Sequence, residues 1–133
     1  MEAAAASTEI TVLGWSVVLL LVQIILQAVS IYDLGPYLLG PRDEDRKSGN
    51  VMAGRLERAL KNLLETYPAF VALALGLAVA GKTGGIAATG AWLWLAARVV
   101  YLPLYAFGVP ALRTLAWVVS LVGLLLMLAR LLS

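Results

Sequence analysis

The sequence predicts an all-α membrane protein, a bundle of four transmembrane helices in one domain spanning residues 1–133. Three observations carry this. Hydrophobic residues make up 62% of the chain and charged residues only 14%, where a soluble domain carries about 25% charged residues. Twelve of the eighteen charges crowd between Asp33 and Glu65. The remainder of the chain falls into uncharged runs of membrane-spanning length.

The first run covers residues 10–32. As a helix it would extend about 35 Å, enough for a hydrocarbon core of about 30 Å. Glu2 and Glu9 stand where a signal peptide would have basic residues, and the apolar run is longer than a signal's. Residues 66–81 and 114–129 carry no charge, and residues 83–112 only Arg98. The segment Gly81-Lys82-Thr83-Gly84-Gly85 is a turn signal, and Gly108-Val109-Pro110 is a second, with proline placed to open a helix. The expected helices lie near 8–33, 51–80, 86–107 and 111–132, with a charged loop at 34–50. Asn50 is the expected N-cap of the second helix. Arg42, Arg46, Lys47, Arg55, Arg58 and Lys61 follow the first helix, and no basic residue precedes it. By the positive-inside rule that loop and the turn carrying Arg113 face the cytoplasm. Both termini then lie outside, as in a multi-pass protein of the cell inner membrane.

There is no Cys and no His. Thiolate and imidazole metal sites, Cys nucleophiles and Ser-His-Asp triads are excluded, and no metal is expected. A net charge of +2 gives no reason to expect nucleic acid. Chemistry must come from Asp, Glu, Lys, Arg or Tyr.

Those residues gather in two places. In the second helix Arg58, Asn62 and Glu65 recur at i, i+4 and i+7, one face of a helix. Pro68 lacks an N–H, which frees the carbonyl of Leu64 beside Glu65 and predicts an opening of the helix there. In the third helix Arg98, Tyr101 and Tyr105 recur at i, i+3 and i+7. With these helices antiparallel, Glu65 and Arg98 reach similar depth. Either they form an ion pair that binds two helices together, or the larger cluster is a ligand site, as intramembrane ionisable residues commonly are. Arg55, Glu57 and Lys61 are expected to snorkel at the interface. Gln23 and Gln27 read as hydrogen-bonding contacts between helices. Trp15, Trp92, Trp94 and Trp117 read as lipid and interface packing, and Ala72, Gly76 and Ala80 as a close-packing face. The fourth helix carries no chemistry.

The two polar sets resemble the MAPEG family, the membrane-associated proteins in eicosanoid and glutathione metabolism. The family's R-A-x-x-N-x-x-E run stands here as Arg58-Ala59-Leu60-Lys61-Asn62-Leu63-Leu64-Glu65, followed by Pro68. Its third-helix arginine, two aromatic positions and later arginine stand as Arg98, Tyr101, Tyr105 and Arg113. The resemblance implies a homotrimer resembling the bacterial microsomal glutathione transferases, with glutathione as co-substrate between neighbouring subunits. It implies that Arg58, Asn62, Glu65, Arg98, Tyr101 and Tyr105 hold glutathione, and that Arg113, aided by Tyr105, stabilises the thiolate. Two departures stand out. Eight residues separate Tyr105 from Arg113, with Gly108 and Pro110 between, and where some relatives have a basic residue at the end of the first helix this chain has Ser30, Ile31, Tyr32 and Asp33.

A free thiol has a pKa of about 8.5, and a guanidinium beside it favours the anion that attacks. Glutathione carries two carboxylates and one ammonium, which match two arginines and one glutamate. The expected function is a glutathione-dependent transferase or peroxidase acting on a lipophilic electrophile or hydroperoxide that enters from lipid. The alternative is a non-catalytic lipid-binding or scaffold protein on the same fold. A small multidrug exporter, a third reading, needs a carboxylate within the first helix, and residues 10–32 have none.

Overall fold

Each uncharged run becomes a helix. The computed structural model describes residues 7–30 and 51–133. Within them lie α1 (Thr8–Ser30), α2 (Val51–Ala80), α3 (Ile86–Ala106) and α4 (Pro110–Leu132), all four long and apolar enough to cross a membrane. The expected continuation of the first helix to residue 33, the Asn50 cap and the charged loop 34–50 lie outside the described residues. Elsewhere the expected boundaries hold to within one residue. Pro110 opens α4 at its first turn, where a missing N–H costs nothing. α2 is continuous through Pro68, so the carbonyl freed at Leu64 does not divide it.

The inward face of α2 is set by Phe70, Leu73, Ala74 and Leu77, all buried at helical spacing. Within the single chain the expected close-packing face is not used. Ala72 and Ala80 point outward and are exposed, and a side chain added at Gly76 would meet only the tip of Leu131, at 3.6 Å. The close backbone approach is made instead between α3 and α4, the most extensively packed pair in the bundle. A Cβ on Gly123 would lie 2.6 Å from the carbonyl oxygen of Gly90 and 2.8 Å from the amide nitrogen of Trp94. No side chain fits there.

Trp94 is a second correction. It is fully buried and stacks on Phe70, with ring centroids 3.9 Å apart and planes within 6°. It faces the core because Gly90 and Ala91, one turn earlier, lie on the buried face of α3. Trp15 and Trp92 are exposed, as expected of lipid-facing rings. Tyr67 packs obliquely on both core rings, and its hydroxyl is 2.9 Å from Ser16 Oγ on α1. Gln23 also turns inward, but its amide nitrogen has no partner.

At the end of the bundle away from the arginine-rich stretch, polar groups close the chain on itself. Glu9 is fully buried, and its Oε1 accepts the Gly84 N–H at 2.8 Å, which ties the start of α1 to the turn before α3. Lys82 Nζ donates to the Leu131 carbonyl at 3.1 Å, satisfying one of the orphan acceptors at the end of α4.

Candidate functional site

The opposite end holds Arg55, Arg58, Arg98 and Arg113. Arg98 comes from α3 two turns from its end. It is 1% exposed, and its Nη1 donates to Asn62 Oδ1 on α2 at 2.8 Å. The guanidinium carbon lies 4.3 Å from the centre of the Tyr101 ring, within the range of a cation–π contact. Nε and Nη2 have no hydrogen-bond partner among the described residues. A buried guanidinium presents five donors and no acceptor, so this one retains capacity for an anion.

Tyr101 is buried against Ala59 of α2 and Ala116 of α4, which explains why small residues stand at those positions. Its ring is 5.7 Å from that of Tyr105, one turn further. Tyr105 is gripped from two sides. Arg58 Nε donates to its hydroxyl at 3.1 Å, and the Arg113 guanidinium carbon lies 4.6 Å from its ring centre. Three helices therefore contribute to one contiguous set. It runs from Asn62 through Arg98, Tyr101 and Tyr105 to Arg58 and Arg113.

Of the seven residues expected at the site, six are joined. Glu65 is not. It is exposed, and among the described residues the ion pair within 4 Å is Glu57–Lys61, at 3.4 Å on the surface. Helical geometry gives the reason. Arg58 and Glu65, seven residues apart, share nearly one direction and face outward, whereas Asn62 is rotated from them by about 40–60° toward the bundle. Asn62 thus reaches Arg98 and Glu65 does not. One residue of the polar stripe, Asn62, serves the interior of the chain, and two, Arg58 and Glu65, are presented outward. The relatives' basic position near the end of the first helix falls at or beyond Ser30, and Tyr32 and Asp33 lie outside the described residues.

The eight-residue interval between Tyr105 and Arg113 is accommodated. α3 ends at Ala106, the chain reverses through Phe107, Gly108 and Val109, and Arg113 follows within the first turn of α4. Arg55 takes part in this reversal, since its Nη1 donates to the Ala106 carbonyl at 3.0 Å. The sequence reading placed Arg55 at the lipid interface. The available signal was its position one turn before Arg58, on the same face.

The arrangement can bind and orient an anionic ligand. Its described cations, Arg58, Arg98 and Arg113, have no carboxylate within ion-pair distance. Comparison with known families gives one match: the MAPEG family model covers residues 12–133, nearly the whole chain. No curated protein and no solved structure matches.

Proposed function

This chain belongs to the MAPEG family, a four-helix integral membrane bundle, and on that premise we propose that it is a glutathione-dependent transferase or peroxidase. The observation that carries the reading is Arg98. Burying a guanidinium with two nitrogens unpaired is costly, and a ligand carboxylate would relieve that cost. Arg58 is free to take the second carboxylate. Glu65, turned outward and without an ion-pair partner among the described residues, suits the ligand's ammonium. Arg113 beside Tyr105 would stabilise the thiolate through charge, with the Tyr105 hydroxyl as a donor. The acceptor is a lipophilic electrophile or hydroperoxide reaching the site from the bilayer.

The outward part of the stripe supports a further element of the reading. Arg58 and Glu65 are exposed on a single chain, so a ligand touching them and Arg98 together would be enclosed only by a neighbouring copy. A homotrimer is the assembly proposed. The end of the bundle bearing Arg58 and Arg113 is proposed to face the cytoplasm, by the distribution of basic residues.

Calorimetric titration of glutathione into the detergent-solubilised chain tests the proposal. Arg58→Ala and Glu65→Ala are each expected to weaken binding more than about tenfold, about 1.4 kcal/mol. Two variants that bind like the parent but unfold more easily would reduce the cluster to contacts between helices. Native mass spectra from mild detergent should show three copies.

A further inference from the structure

We propose that Arg55 is a positioning residue for this site: it fixes the turn between α3 and α4, and through it the placement of Arg113 against Tyr105. The inference rests on the glutathione reading above and adds to it a residue that touches no ligand.

The turn leaves the Ala106 carbonyl without a backbone donor. Val109 N–H bonds the Leu104 carbonyl at 2.9 Å and Gly108 N–H the Tyr105 carbonyl at 3.1 Å, with Gly108 at φ +71°. This is the Schellman closure of a helix, and the left-handed residue it requires is glycine. Ala106 remains. In a continuing helix its carbonyl would accept from the residue four positions on, but that residue is Pro110, which has no N–H. Arg55 fills the vacancy from α2, at 3.0 Å. Its guanidinium also lies along Gly108, where a Cβ would come within 3.1 Å of Nη2 and 3.2 Å of Cζ. One side chain thus supplies the missing donor and packs on the glycine that makes the reversal possible.

The clamp acts where the site is most sensitive. Tyr105 directly precedes Ala106, and the Arg113 N–H bonds the Val109 carbonyl at 3.1 Å, so Arg113 hangs from the far side of the same turn. Pro103, inside α3, withholds one more helical hydrogen bond from this last stretch. With two prolines flanking it, the reversal is short of backbone bonds, and Arg55 supplies one from outside. Arg58 and Arg98 are anchored on α2 and in mid-α3 and do not depend on the turn. Loss of Arg55 should therefore disturb thiolate stabilisation more than glutathione binding.

The test uses the full chain in detergent, with glutathione titration, the ultraviolet thiolate absorbance of bound glutathione as a function of pH, and turnover of a model aromatic electrophile. Arg55→Ala is expected to keep glutathione affinity while turnover falls by about one to two orders of magnitude, the scale of a misplaced catalytic group. Its thiolate signal should appear only at higher pH. Arg55→Lys should recover part of both, since an ammonium reaches a carbonyl but cannot lie flat on Gly108. Arg55→Met, which keeps most of the side-chain length but removes the donor, should give the Arg55→Ala signature, and it serves if Arg55→Ala does not fold. If Arg55→Ala turns over and titrates like the parent while Arg113→Ala loses both, the positioning role is overturned and the site reading stands. An Arg55→Ala protein that loses affinity as steeply as turnover belongs to the binding set, which also overturns the proposal. A parent chain that binds no glutathione ends the site reading. Slower or unchanged amide exchange at Gly108 and Val109 in Arg55→Ala would then end the clamp as well, and faster exchange would retain it.

Discussion

The two ends of this bundle are built from the same four helices and treat their polar groups in opposite ways. At one end Glu9 accepts a backbone N–H and Lys82 donates to a backbone carbonyl, and between them the stacked Phe70 and Trp94 fill the core. At the other, Arg98 is as deeply buried as Glu9 but keeps two nitrogens unpaired, and Arg58 and Arg113 converge on Tyr105 with no carboxylate of the described residues within ion-pair distance. The first end uses Glu9 Oε1 and Lys82 to hold the chain together, although Glu9 Oε2 has no partner among the described residues. The second holds polar groups in reserve. Buried atoms are thus left unpaired at both ends, against the general rule, and what sets the second apart is that its unpaired guanidinium nitrogens lie in a cluster of cations, where a ligand is proposed.

The contrast can be broken at either end. The largest effect is expected from Trp94→Ala. It removes the ring stacked on Phe70 and should cost about 3 kcal/mol, the lower part of the range for large-to-small core changes, because lipid-embedded cores lack part of the transfer term. Denaturant titration in detergent measures it, and glutathione affinity should be unchanged in the fraction that remains folded. A matched loss of affinity would mean that the two ends are coupled.

Arg98→Met sharpens the comparison from the other side. It replaces a half-satisfied buried charge with an apolar chain of similar length, a change that is often neutral or stabilising by about 1–4 kcal/mol. Glutathione affinity should drop more than about tenfold. A variant that is both less stable and still binds would show that Arg98 belongs with Glu9 among the residues that only hold the fold. Glu9→Gln should be the mildest change. The amide oxygen still accepts from Gly84, so stability should move by less than about 1 kcal/mol and ligand binding not at all. Loss of binding in this variant would erase the division between the ends.

Much of this was legible in the sequence, because hydropathy alone fixes where a chain can lie in lipid and helical spacing fixes which residues share a face. Arg98, Tyr101 and Tyr105 follow from that spacing, and Asn62 and Arg58 from the matching stripe on α2. What escaped depends on azimuth, which spacing leaves undetermined by a fraction of a turn. Asn62 and Glu65 differ by that fraction, and only Asn62 meets Arg98. The same ambiguity left open which way Ala72, Gly76 and Ala80 face on α2, and it left Trp94 among the lipid-facing rings. Glu9 and Arg55 escaped for another reason. Each bonds a backbone group remote in sequence, 75 residues away for Glu9 and 51 for Arg55, and no side-chain pattern announces a partner that is a carbonyl or an amide.

The contact between Gly90 and Gly123 also bears on how the site reaches the membrane at all. α3 carries Arg98 well inside its span, and an arginine at the centre of a helix opposes translocon-mediated insertion by about 2.5–3.5 kcal/mol. α4 has no charge between residues 114 and 129, follows after a short turn, and lies so close to α3 that backbone meets backbone. The two are joined as a hairpin whose apolar arm compensates for its polar one. The helix that carries the buried Arg98 thus has, in the next segment of the chain, an apolar helix packed against it whose hydrophobicity offsets the cost of that charge.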